Sequence, residues 1–205
     1  NIPGQGTTVD VPIGDNTDEE FSSTAEATAN DRDTPTIDNV AMTLEKFTKR
    51  VPLTNELMQD EASRLMSFIE DYVARGQAKT HNGLFVTEVV ANGTQLTTFN
   101  GTDAIAAGEL EDIAHDDDIG FYLDDSNSVS WVMRNSTLGQ IKSISSEDRF
   151  YGDVTQSEGP LGYPVALSNK VDPLGTANNP ILFGNFNFVG RRESPSMTVL
   201  RDPYS

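Results

Sequence analysis

The sequence predicts an α+β chain with an extended two-stranded loop, one long helix, and a body of mixed sheet with flanking helices. Three observations predict it. Residues 1–38 are rich in Thr, Asp, Asn, Gly and Pro, and their few apolar residues alternate instead of gathering into a core. Residues 60–79 carry the strongest helical period in the chain. From residue 84 onward, short apolar runs alternate with Asn-Gly and Gly/Pro turns, with two further helical patterns among them.

The arm comes first. Val9, Val11 and Ile13 alternate with Asp10 and Pro12, which is strand patterning, and Gly14-Asp15-Asn16 is turn chemistry. Residues 18–33 have no period and, taken alone, read as disordered. A second strand returns at residues 40–44 and continues through Phe47 to Val51 and Leu53. The simplest geometry is a long ribbon with its tip near residues 18–30. An isolated two-stranded ribbon is marginally stable in water, so this reading requires that something else cover it.

The long helix follows. Leu65, Ile69, Tyr72 and Val73 share a face, and Met66 and Phe68 widen it. Glu61, Arg64, Glu70, Asp71 and Arg75 fill the solvent side. Asp60 serves as the N-cap, with Glu61 placed where the helix dipole favours negative charge. Gly76 costs ~1 kcal/mol against Ala, so the helix is expected to end near His81-Asn82-Gly83.

Beyond it, Leu84-Phe85-Val86 and Val89-Val90 read as strands, as do residues 95–99 between the Asn92-Gly93 and Asn100-Gly101 turns. Residues 103–114 read as a second helix capped by Thr102 or Asp103, with Ile105, Ala106, Leu110 and Ile113 on one face. A strand at Val129 to Met133 precedes a short helix through Leu138, Ile141 and Ile144, capped at Asn135-Ser136. Residues 160–167 read as a turn followed by a strand, and further strands are expected at 181–186 and 197–200. No internal repeat is present.

Composition narrows the function. The chain has 205 residues and a formal net charge of −18, from 32 acidic and 14 basic residues. Gripping nucleic acid needs clustered Lys and Arg, and so does adhering to an anionic membrane; this chain has the opposite balance. The absence of cysteine excludes disulfides, thiolate catalysis and Cys-based zinc sites. No run approaches the ~18 apolar residues of a membrane span.

Motifs for chemistry are sparse. Asp116-Asp117-Asp118 with Asp124-Asp125 offers clustered carboxylates of the kind Ca²⁺ takes, but the spacing is not that of a twelve-residue Ca²⁺ loop. A solvated acidic loop is the simpler account, and the same holds for Asp15, Asp18, Glu19 and Glu20. His81 and His115 are the only histidines and neither sits in a His-Glu-x-x-His pattern. No Gly-x-Ser-x-Gly elbow or phosphate loop occurs. Asn92, Asn100 and Asn135 begin glycosylation-type triplets that turn and cap chemistry explains more simply. Trp131 reads as a core or interface anchor, and Arg191-Arg192 as a loop pair. No catalytic, cofactor-binding or metal residue is assigned, no cofactor is expected, and the chain does not read as an enzyme.

An ordered set of segments nevertheless carries a resemblance. Trp131-Val132-Met133-Arg134-Asn135 is followed by the helix with Leu138 and Ile141, then Arg149-Phe150-Tyr151. Leu161-Gly162-Tyr163-Pro164-Val165 and Ile181-Leu182-Phe183-Gly184-Asn185-Phe186 come after. Upstream, Val51-Pro52-Leu53-Thr54-Asn55-Glu56-Leu57 leads into the long helix. Together these resemble the major capsid proteins of tailed bacteriophages, the Hong Kong 97-like fold. The resemblance covers roughly residues 36–204, with a poorly matched gap at about 84–127.

The resemblance implies a layout: 1–45 an extended β-loop, 46–90 a peripheral-domain segment with the spine helix, 91–193 the axial domain, and 194–205 a return toward the peripheral domain. It implies a shell subunit that assembles as hexamers and pentamers into an icosahedral capsid enclosing double-stranded DNA without sequence-specific contact. The loop would lie over neighbouring subunits. Further implied partners are a portal and a scaffold or maturation protease, with no membrane, and a location in the virion after assembly in the host cytoplasm. Two departures stand out. Some members crosslink through a loop lysine, but the first lysine here is Lys46, past the loop, so crosslinking is not expected. The family also extends beyond both ends of this sequence, so the chain reads as an internal piece of a longer protein. Two alternatives compete: a nanocompartment shell of the same fold enclosing enzyme cargo, and a Ca²⁺-dependent β-rich extracellular binding module.

Overall fold

The computed structural model describes residues 7–14, 23, 26, 37–53, 62–99, 105–123, 128–144, 159–175 and 177–194. The chain divides into two units: Asn1–Arg50 with Gly190–Ser205, and Val51–Val189.

The first unit contains the ribbon. Strand β1 (Thr8–Gly14) pairs antiparallel with β2 (Ile37–Thr43) in an unbroken register from Thr8↔Thr43 to Gly14↔Ile37. Facing residues in such a pair share a side of the sheet. Val9 with Met42, Val11 with Val40, and Ile13 with Asp38 therefore line one face. Thr8 with Thr43, Asp10 with Ala41, Pro12 with Asn39, and Gly14 with Ile37 line the other. The ladder closes at its open end through Leu44 N–H to the Thr7 carbonyl at 2.8 Å, and the Thr8 and Thr43 hydroxyls meet at 3.2 Å. The second strand is shorter than its sequence suggests. Among the described residues, Leu44 is the last to bond across to β1, and residues 45–53 are irregular despite their apolar content. The expected ribbon tip and the strand at 197–200 lie outside the described residues.

The second unit is built on helix α1 (Ala62–Asn92), 31 residues and roughly 46 Å long at about 1.5 Å per residue. The expected stop at Gly83 does not occur, and the two strands expected at residues 84–90 are helix instead. Phe85, Val86 and Val89 are the reason: they fall on one helix face and pack against Val132, Val171, Leu182 and Phe186. Phe85 meets Phe186 edge-on at 5.3 Å. Burial of that cluster outweighs the ~1 kcal/mol that a glycine costs in a helix. The stop falls at Gly93 instead, whose N–H bonds the Val89 carbonyl at 2.8 Å. A Cβ at Gly93 would collide with that carbonyl oxygen, so only glycine closes the helix this way.

Residues 95–99, expected as a strand, form no ladder. Their apolar residues Leu96 and Phe99 are half-buried against the main core. Helix α2 (Ala107–Ala114) begins later than expected, and its N-cap is Ala106. Alanine has no side-chain acceptor, so the helix is capped in reverse: the buried Glu109 carboxylate accepts from Ala106 N–H at 2.8 Å. Thr102 and Asp103, the expected caps, lie outside the described residues. A 3₁₀ turn at Asp117–Ile119 then runs into the short helix α3 (Gly120–Leu123).

A three-stranded sheet follows, in the order β4 (Val165–Leu167), β3 (Val129–Met133), β5 (Ile181–Asn185). The central strand β3 runs parallel to β4 and antiparallel to β5. It reads as a near-continuous apolar run because both sheet faces are covered. Trp131, Met133 and Val165 join Leu110, Ile113, Leu138 and Ile141 from α2 and α4 (Asn135–Lys142) in one core cluster. Val132 and Leu182 join the C-terminal part of α1 in a second. The cap of α4 is Arg134, with no side-chain bond, rather than Asn135-Ser136. Arg134 uses its Nε–H on the Val171 carbonyl instead.

Trp131 is the centre of the body. It is fully buried, tilts against Phe183 at 4.0 Å, and donates its indole N–H to the Pro160 carbonyl at 2.9 Å. That carbonyl belongs to a tight turn, Pro160–Gly162, where Leu161 (φ 57°) and Gly162 (φ 82°) are both left-handed. A Cβ on the preceding Gly159 would run into the Tyr163 carbonyl and a Val165 methyl.

Candidate functional site

Among the described residues, the groups that sequence reading weighed for chemistry do not assemble into a site. Among the described residues, no three His, Cys, Asp or Glu side chains come together in a way that could hold a metal ion. Asp117 lies in the 3₁₀ turn after α2, whereas Asp124 and Asp125 fall outside the described residues, as do Asp15, Asp18, Glu19 and Glu20. His115 closes α2, and its Nδ1 lies 3.0 Å from the Glu111 carbonyl. His81 sits within α1. Asn92 ends α1 with its amide on Glu88, and Asn135 opens α4. Trp131 is a core residue.

A cavity of about 350 Å³ beside α1 is lined by Lys79, Thr80, Thr87 and Lys170 among others. The two threonine hydroxyls are spent on the Gly76 and Gly83 carbonyls at 3.0 and 2.9 Å. No carboxylate or imidazole lines it, so it offers cationic charge without an acid–base pair. Among the described helices, none is long and apolar enough to cross a membrane.

The functional geometry lies in surfaces. In the ribbon, Val9, Val11, Ile13, Val40 and Met42 make one face largely apolar, with Asp38 at its far end, yet Ile13 is 49% exposed and Val40 45% exposed. The β1–β2 ladder sets the ribbon's shape, while the apolar face stays open. Just beyond β2, Lys46, Lys49 and Arg50 flank an exposed Phe47, which places three of the chain's 14 basic residues in one short stretch. In the second unit, α1 presents its own uncovered strip. Met66, Phe68 and Tyr72 are exposed, and Phe68 stacks on Tyr72 at 6.3 Å. Leu65, Ile69 and Val73 beside them are only half-buried. These exposed apolar strips are the candidate contact surfaces.

Sequence reading placed Val9, Val11 and Ile13 on one strand face and Leu65, Met66, Phe68, Ile69, Tyr72 and Val73 on a helix face expected to pack, where Met66, Phe68 and Tyr72 are exposed. It missed the contacts of Arg192, which come from the far end of the chain. Its Nη1 donates to the carbonyls of Thr7 at 3.0 Å and Met42 at 3.1 Å. Arg191 pairs with Glu193 at 2.6 Å.

Comparison with known proteins gives the surfaces a context. The family model described as the phage capsid family matches residues 1–205. Among solved structures, the fold is similar to the capsid of a native GTA particle computed with C5 symmetry. That match has a TM-score of 0.71 and 20% identity, and covers 98% of this chain and 76% of the other. It is also similar to the capsid of an empty GTA particle computed with C5 symmetry, with a TM-score of 0.69 and 21% identity over 100% of this chain and 77% of the other. A search of curated proteins found no match. At these identities the structural likeness speaks to fold, and it is an α+β capsid fold.

Proposed function

The chain belongs to the phage capsid family, and from that premise we propose that it is a structural, non-enzymatic subunit assembling as hexamers and pentamers into an icosahedral shell around double-stranded DNA. The observation that carries this reading is the ribbon. It is a hydrogen-bonded two-stranded arm with one apolar face, and large side chains on that face remain open to solvent. A ribbon alone is marginally stable, and covering such a face by a second copy supplies what the arm lacks.

The mechanism is geometric. Many copies make many modest contacts, and the arm of one subunit clasps the next. The formal charge of −18 suits a wall that encloses DNA without gripping it, because a basic lining would trap the polyanion. The domain layout proposed with this function has an extended loop at 1–45, a peripheral segment at 46–90, an axial domain at 91–193 and a return at 194–205. Portal, scaffold or protease partners, and assembly in a host cytoplasm, belong to the same proposal.

Electron microscopy of the expressed full-length product tests it. Closed shells with five- and six-fold capsomers, holding DNA when isolated from their native source, are expected. A chain that stays monomeric at high concentration would overturn the shell. Shells filled with protein rather than DNA would overturn the genome-container reading and leave a cargo compartment.

A further inference from the structure

We propose that Arg192 is a positioning residue that clamps the open end of the ribbon and so fixes the root of the arm. The two carbonyls it reaches lie on opposite strands. Thr7 immediately precedes β1, and Met42 lies within β2. One guanidinium nitrogen therefore staples both strands where the ladder ends, beside the Leu44-to-Thr7 bond at 2.8 Å. The Thr7 carbonyl accepts from both groups, using both of its lone pairs. Hydrogen bonds from a charged donor are stronger than neutral ones, and this donor is part-buried at Met42.

The covalent path gives the clamp its consequence. The chain leaves the ribbon's unit between Arg50 and Val51, and re-enters it between Val189 and Gly190. Residues 44–50 leave the ribbon after β2, and Arg192 adds a non-covalent tie between the ribbon and residues 190–192 of the same unit. Arg191 does not share the task, since its guanidinium is paired with Glu193.

Hydrogen exchange on the unassembled full-length chain tests the clamp. Arg192→Met keeps the apolar stem and removes the donor. It is expected to raise exchange at the Leu44 amide about tenfold or more, as loss of a charged hydrogen bond implies, while amides of Val129–Met133 stay unchanged. Arg192→Lys, which carries several N–H donors on one nitrogen, is expected to restore part of the protection. Arg191→Met is expected to change it less than twofold. Leu44 exchange within twofold of the parent in Arg192→Met would overturn the clamp.

The consequence for assembly rests on the shell reading and is scored separately. If the parent forms shells, Arg192→Met is expected to form several-fold fewer. Equal yield despite faster Leu44 exchange would overturn the positioning role. If the parent forms none, the shell reading fails while the exchange result still decides the clamp.

Discussion

The ribbon and the sheet body solve the same problem in opposite ways. Both are β-structure with apolar residues, and both are held by backbone ladders. In the body, each face of β3 meets a layer of the same chain: α2 and α4 on one side, the end of α1 on the other. In the ribbon, Val11 and Val40 face each other across the strands, but Val40 is 45% exposed. The difference teaches where stability comes from. The body draws it from burial inside one molecule, so damage there is read as unfolding. On the proposed function the ribbon keeps its apolar area for a neighbouring copy, so damage there is expected to be read as loss of association.

The largest test of that contrast is Trp131→Ala. The indole is fully buried, stacks on Phe183 and holds the Pro160 turn through its N–H. Its removal opens a cavity and orphans a carbonyl, at a cost of about 4 kcal/mol. Denaturant melting of the variant is expected to show that loss in the midpoint. A shift below about 1 kcal/mol would show that the body does not depend on its own core. Glu109→Ala comes next. It removes the carboxylate that accepts from the Ala106 N–H at the start of α2, and about 1–2 kcal/mol is expected by the same measurement.

These body residues were legible to different degrees, for physical reasons. Trp131, Leu138, Ile141 and Leu182 sit in short apolar runs with ordinary turn signals around them, so pattern alone places β3, α4 and β5. Helix α1 is different. Its Leu84-Phe85-Val86 and Val89-Val90 are β-prone and follow a glycine, and locally they favour strand. What makes them helix is Val132 and Leu182, far along the chain, and no local window contains those partners. The same distance hides the role of Glu109, since its partner is a backbone N–H before a helix whose start was misplaced. Arg192 is the extreme case: its partners lie 150 and 185 residues away. Of the candidate surfaces, the ribbon face was readable from Val9, Val11 and Ile13. Its second half needed the register that sets Val40 and Met42 opposite them.

A smaller effect of opposite sign sharpens the account of the body. Thr137 is fully buried in α4, and among the described residues its hydroxyl has no hydrogen-bond partner. An unpaired buried hydroxyl carries a desolvation penalty that a methyl of the same shape avoids. Thr137→Val is therefore expected to stabilise the chain by about 1 kcal/mol, seen as a higher melting midpoint. A destabilised variant would mean that the hydroxyl has a partner in the assembled or folded state.

The smallest expected effect on folding belongs to the ribbon, and it separates the two regions most sharply. Val11→Asp with Val40→Asp places two carboxylates opposite each other on the apolar face, leaving every ladder hydrogen bond available. Like charges across a strand pair cost a few tenths of a kcal/mol to about 1 kcal/mol, paid within the ribbon alone. The body's core clusters contain neither residue, so its melting midpoint is expected to move by less than about 0.5 kcal/mol. Burying those charges under a neighbouring copy is another matter, because each would have to be desolvated without a partner. Sedimentation of the double variant is accordingly expected to show a folded chain that forms no shells. If the variant assembled as well as its parent, the ribbon face would not be a contact surface. If instead the body unfolded, the two regions would share one core, and the contrast between them would be false.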